Sequence, residues 1–186
     1  KPLRSSDGAL VFRPGGHGAL IENLNALASD VIFIKNIDNV SQNHISDIVN
    51  YKKLLGGVLF HLQQNVFAFL KDLEQEIISE EKVAQIKEFI QKHLHLVLPN
   101  DFERYKNAFQ INYLFEELNR PIRVCGMVKN EGEPGGGPFW VKNEEGKVSL
   151  QIVETSQIDL SNKKQVQIVN EATHFNPVDL VCSLKN

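Results

Sequence analysis

The sequence predicts an α/β fold, on three observations. Residues 12–40 read as loop, helix and strand, one half of an α/β crossover unit. Residues 41–120 carry long apolar patterns at helical spacing. After Pro121, short apolar runs alternate with glycine-rich and polar loops, the pattern of strands. The reading is an α/β start, a helical insertion at 41–120 and a mixed β tail at 121–186. Chain order alone does not put the first and last parts in one sheet.

At 186 residues the chain is long enough to bury a substantial core. A net charge of −3 with scattered basic residues gives no electrostatic footprint for a nucleic acid. No apolar run is long enough to span a bilayer, and no signal peptide is visible, so a cytoplasmic location without membrane partners is expected. The chain starts without methionine and stops just after "DLVCSL", which suggests a piece excised from a longer protein. Cys125 and Cys182 each lie inside an apolar strand-like run and read as buried, reduced thiols. His93 and His95, two apart on a helix, face different ways and would not share a metal.

The elements follow in order. Gly18 to Ala28 reads as a helix, with Ala19, Leu20, Leu24 and Leu27 near helical spacing. "DVIFIKN" is a fully buried strand: short, continuously apolar, rich in β-branched residues and ended by turn formers. Ile45 to about Gln75 is a long helix with a bend expected at Gly56-Gly57. Ser79-Glu80-Glu81 caps a second helix reaching about Val97. Pro99 ends it, and Asp101 is expected to cap a third helix to Leu118. Val83, Ile86, Ile90 and Leu94, and likewise Phe102, Tyr105 and Phe109, form apolar stripes that must pack on something. "IRVCGMV", "PFWVKN", "KVSLQIVE" and "VDLVCSL" are the strand candidates, with "KQVQIV" a weaker one; "EGEPGGG" and "NEEG" are loops.

Several constellations suit chemistry. In "RPGGHG", successive glycines let backbone approach a ligand. The helix start that follows supplies unpaired N–H groups for an anion or a base edge, and Arg13 and His17 add donors. A plain turn into the helix explains the same glycines. In "KNIDNV", Asp38 lies just past a strand end, where α/β sheets place ligand-contacting groups; a carboxylate there suits Mg²⁺ on a phosphate. Asn36, Asp38 and Asn39 are equally good turn residues. "EGEPGGGPFW" reads as a hairpin connection or as a loop closing over a sugar. Glu154 in "QIVETSQID" ends a β run and either accepts from sugar hydroxyls or stands as a solvated edge carboxylate. "ATHFNPVDLV" sets His174, Asn176 and Asp179 around an apolar run, with Asn176-Pro177 a possible turn start.

The order of these blocks resembles the eukaryotic-type UDP-sugar pyrophosphorylases. "PGGHGALIENLNAL" then "VIFIKNIDNV" is similar to their Pro-Pro-Gly-His-Gly or Pro-Gly-Asn-Gly loop, helix, strand and Asn-x-Asp-Asn segment. "EPGGG" resembles their Glu-Pro-x-Gly loop, "VETSQI" their Val-Glu-Tyr-Ser-Glu-Ile segment, and "FNPVDLV" their Phe-Asn-x-Gly-Asn-Ile strand. The chain looks closer still to an uncharacterised bacterial family labelled a domain of unknown function. The match covers 12–40 and about 121–184; the helical block between has no counterpart.

The resemblance implies part of a nucleotide-diphospho-sugar transferase fold, a three-layer α/β/α sandwich with a mixed, mostly parallel sheet. It implies that Gly15, Gly16, His17 and Gly18 face the nucleotide, and that Asp38 binds Mg²⁺ as the catalytic and metal residue. Gly136, Gly137, Glu154 and Asn176 would contact the sugar. Thr155 stands where the family has tyrosine, and Ala19 where it has an acidic residue or glycine, which leaves base and sugar open. The implied reaction is attack of a sugar-1-phosphate oxygen on the α-phosphorus of a nucleoside triphosphate, releasing pyrophosphate, chemistry governed by alignment and charge neutralisation. The family's first glycine-rich loop would lie upstream of Lys1 and its catalytic lysine downstream of Asn186, so residues 1–186 alone are expected to be inactive. Two other classes fit: a non-catalytic nucleotide-sugar-binding or regulatory module, and a helical block that serves homo-oligomerisation or partner binding.

Overall fold

The structure is a computed structural model describing residues 2–12, 21–37, 40–75, 77–132 and 135–184. It divides into two compact units, residues 1–30 and 31–186. In the first, Arg4 and Leu10 form an antiparallel bridge around a turn where the Ser5 N–H donates to the Ala9 carbonyl. A short helix, α1 (Ile21–Asn25), follows. The helix expected from Gly18 is therefore described from Ile21 on, and residues 13–20 lie outside the described residues.

The second unit is a mixed α/β body. Its strands are β1 (Val31–Lys35), β2 (Ile122–Cys125), β3 (Val128–Lys129), β4 (Gly137–Lys142), β5 (Val148–Val153), β6 (His174–Phe175) and β7 (Asp179–Ser183). They form a three-stranded sheet of order β1-β7-β2 and two two-stranded pairs, β3-β6 and β4-β5. Every one of these pairings is antiparallel, which corrects the expectation of a mostly parallel sheet. The apolar run "DLVCS" forms the central strand, whereas "VIFIK", expected to be fully buried, forms an edge strand in which only Ile32 is buried and Phe33 is 48% exposed; an apolar run leaves strand direction open. The connections decide it: β7 enters the sheet beside the end of β1, with Asp179 directly opposite Lys35. Since β1 and β2 are each antiparallel to β7, they run in the same direction, joined by the helical block.

That block contains α2 (Ile45–Leu73), α3 (Glu80–His93) and α4 (Asn107–Leu118). The first part of α2 lies on the sheet, packed against β2 and β7. Gln63 donates to the Ser183 hydroxyl (2.6 Å). α2 runs continuously through Gly56-Gly57. Gly56 allows close approach to the sheet, because a Cβ there would meet the Phe33 ring at 3.2 Å. The later part of α2 joins α3 and α4 in the main apolar core, where Val66, Leu70, Ile86, Ile90, Phe102 and Leu114 are buried.

Ser79 caps α3, its hydroxyl accepting from the Lys82 N–H (3.2 Å). The helix stops at His93 rather than near Val97, and His95 takes a positive φ of 51° before Leu96 bridges to Ser149 of β5. Asp101 does not cap a helix with its side chain. A 3-10 turn at Phe102–Arg104 intervenes and α4 starts only at Asn107. That interruption resets the helical phase, so Phe102 is buried while Phe109 is 69% exposed. "KQVQIV" is helical, not a strand: it lies in α5 (Lys163–Asn170), where the Asn162 side chain accepts from the Lys164 and Gln165 N–H groups. A well-formed cap outweighs a short alternating pattern.

Buried Glu117 on α4 receives Arg120 (2.6 Å) and Lys147, tying α4 to the β4-β5 hairpin. Burial, then the Glu117 carboxylate, pushes the Tyr113 hydroxyl up to about 12. Cys125 and Cys182 are free and half-buried rather than fully buried, and burial raises both thiols. No helix among the described residues is long and apolar enough to cross a membrane.

Phe102, 2% exposed at the junction of α3 and α4, should be the least replaceable side chain here. Phe102→Ala is expected to cost about 3–5 kcal/mol, read as a drop in the urea midpoint with unchanged slope.

Candidate functional site

The site forms where β2, β4, β5 and β7 meet. Residues 135–137 lead into β4, and the hairpin register pairs Gly137 with Val153, which sets Gly136 beside Glu154. The approach is close: a Cβ on Gly136 would lie 2.7 Å from Glu154 Oε1 and 2.9 Å from the Ile152 side chain. Gly136 is buried and Glu154 half-buried. Only glycine lets the loop backbone sit against that carboxylate. Glu154 is oriented from its own strand end, where its N–H donates to the Gln157 side chain (2.9 Å).

Asn176 joins the same group. Its N–H donates to the Gly136 carbonyl (2.7 Å). Its side-chain amide donates to the Gly126 carbonyl (2.7 Å), and Oδ1 accepts from the Val178 N–H (3.0 Å). At 5% exposure, Asn176 uses both ends of its amide on backbone. Val178 is held at φ 53°, a region that β-branched residues rarely adopt. Its carbonyl accepts from the Asn36 N–H (2.9 Å), and the Gly126 N–H donates to the Asp179 carbonyl (2.8 Å). The turn entering β7 is thus fixed from several sides, as strained backbone requires.

Asp179 follows at once. Its two oxygens receive Lys35 (2.9 Å) from β1 and Lys52 (2.8 Å) from α2. Burial raises this carboxyl, but the hydrogen bonds and charges of Lys52 and Lys35 outweigh it and hold Asp179 below the usual carboxylate range. Lys52 also lies 5.8 Å from the Phe33 ring centroid. Sequence reading singled out neither lysine. Their spacing of 17 residues, on a strand end and a helix, carries no local signal.

Of the residues assigned from sequence, Gly136, Gly137, Glu154 and Asn176 come together. Gly15, Gly16, His17, Gly18 and Asp38 lie outside the described residues. Next to the group is a cavity of about 120 Å³ lined by Gly135, Gly137, Val153, Thr155, His174 and Phe175. A neighbouring one of about 340 Å³ is lined by Phe139, Ile168, Glu171 and His174 among others. The His174 ring nitrogen Nδ1 is 2.9 Å from the Thr173 hydroxyl. No group of three or more His, Cys, Asp or Glu residues that could hold a metal occurs among the described residues.

Compared with protein families, residues 1–186 match the model described as Domain of unknown function (DUF4301). The chain belongs to that family. No curated protein and no solved structure matches it.

Two outcomes test the geometry. Asn176→Ala strands a buried carbonyl and a buried N–H, each worth about 1–3 kcal/mol, and should lower the denaturation midpoint accordingly. Asp179, with a lowered carboxyl in the folded chain, contributes stability present above about pH 4 and lost as pH falls further. Asp179→Asn should flatten that acid limb in a series of melts at decreasing pH.

Proposed function

We propose that this DUF4301 chain carries the sugar side of a sugar-phosphate nucleotidyltransferase site, in a partial three-layer nucleotide-diphospho-sugar transferase fold. One observation carries the reading. Residues from separate motifs come together at Gly136, where Glu154 and Asn176 both approach it, although successive members are 18 and 22 positions apart in the sequence. The hairpin register brings Gly136 to Glu154, and Asn176 joins them through its own hydrogen bond to the Gly136 carbonyl.

In this reading the glycine loop brings main-chain groups against the sugar, and the Glu154 carboxylate accepts from its hydroxyls. Asn176 acts mainly by positioning, because its amide is engaged with Gly126 and Val178. Thr155, on the wall of the smaller cavity, leaves more room than the tyrosine of the pyrophosphorylases. β1 and β2 run in one direction, and their carboxyl ends open on the Asn176–Asp179 turn.

Nucleotide contacts by Gly15, Gly16, His17 and Gly18, and Mg²⁺ at Asp38, complete the proposal from the resemblance. Alignment of the sugar phosphate is the contribution assigned to this part of the chain.

A thermal-shift screen of the longest available protein against sugar 1-phosphates, nucleotides and nucleotide-sugars tests the reading, since a ligand that binds the folded form alone raises the melting temperature. A sugar-bearing ligand should produce the shift. Glu154→Ala should abolish most of it, and the unliganded variant, although it loses a half-buried carboxylate packed against Gly136, should still melt cooperatively. Equal shifts in wild type and Glu154→Ala would remove Glu154 from the site.

A further inference from the structure

The bridge at Asp179 is unbalanced in a way that the sugar site does not use. Lys35 and Lys52 both point at one carboxylate. Among the described residues, two positive groups face one negative in a partly buried place, with lysine side chains only 21% and 26% exposed. The ion pairs among the described residues bring these lysines to Asp179 alone. Bringing two ammonium groups together at partial burial is unfavourable unless anions of matching charge sit between them. A second anion would complete the balance.

The location narrows its chemistry. Lys35 ends β1, and Asp179, its register partner, begins β7. The Gly126 N–H just beyond β2 donates to the Asp179 carbonyl. Lys35 therefore sits at the carboxyl end of β1, and Lys52 reaches the same carboxylate from α2. Asp179 is three residues from Asn176, which holds the Gly136 loop. Side-chain ammonium groups without a planar fork act as point charges for phosphate.

We propose that Lys35 and Lys52 form a phosphate-binding pair, with Asp179 as an internal stand-in anion that the ligand's phosphoryl group partly displaces. The source of that phosphoryl group, a sugar phosphate or a nucleotide, rests on the reading given above; the lysine pair itself does not. No covalent step is involved. Asp179 orders the two ammonium groups before the ligand arrives and competes with it once there.

The test is a ³¹P NMR titration of the full chain with inorganic phosphate, glucose 1-phosphate and UMP. Lys35→Gln, Lys52→Gln, Lys52→Arg and Asp179→Asn are run in parallel, each checked for folding by circular dichroism. Each Gln variant is expected to weaken phosphate-bearing probes about tenfold or more, the scale of one charged hydrogen bond. Lys52→Arg should keep most of the affinity, and Asp179→Asn should tighten it, because the competing carboxylate is gone. A merely structural bridge predicts the reverse for Asp179→Asn, with weaker binding. That comparison decides alone if a Gln variant unfolds.

Loss confined to glucose 1-phosphate identifies a sugar phosphate as the source, and loss confined to UMP a nucleotide. Equal binding of all three probes with lysine dependence sustains the phosphate pair and counts against the sugar reading. Unchanged affinity in both Gln variants, or no binding of any probe by wild type, overturns the pair.

Discussion

The buried amide of Asn176 organises this molecule more than any other side chain. The amide fastens the end of β2 at Gly126 and the turn at Val178, while the main-chain N–H of the same residue holds the glycine loop at Gly136. Those segments come from widely separated parts of the chain, and each has backbone polar groups that need partners out of water. An amide offers both a donor and an acceptor in one plane, so it can satisfy carbonyl and N–H at once. A left-handed conformation at a valine persists because bonds on both sides of Val178 over-determine it.

From that turn, β7 passes between β1 and β2 as the only member of the three-stranded sheet running its way. Its placement gives the sheet two features at once. The outer strands share a direction, so their carboxyl ends lie together, and the first residue of β7 reaches the same end. Asp179 thereby meets Lys35 across the register and Lys52 from the covering helix. Charge, strain and close glycine approach collect at one edge of the sheet, whereas the large apolar core of α2, α3 and α4 contains Glu117 as its buried carboxylate. Stability and site are built in different parts of the second unit.

The Gly136–Glu154 approach shows how a loop can be both specified and hidden in a sequence. Three consecutive glycines suggest mobility, yet Gly136 is buried, its carbonyl bonded and its missing side chain replaced by the Glu154 carboxylate. The hairpin register makes the approach unavoidable: with Gly137 opposite Val153, the preceding and following residues must face each other.

By itself, the sequence determined the elements whose signals are local. The long apolar pattern of α2, the Ser79 cap of α3 and the β-branched run of β1 each read out from a few neighbouring residues, since helix and strand periods depend on local geometry. The motifs carrying Gly136, Glu154 and Asn176 were visible for the same reason. Local patterns failed where two were in competition, as at the 3-10 turn of Phe102–Arg104 and the Asn162-capped helix α5. Tertiary structure alone decided the direction of β7, the meeting of those three residues and the Lys35–Asp179–Lys52 bridge. Strand direction and long-range ion pairs depend on which ends the connections bring together, and no window of neighbouring residues contains that information.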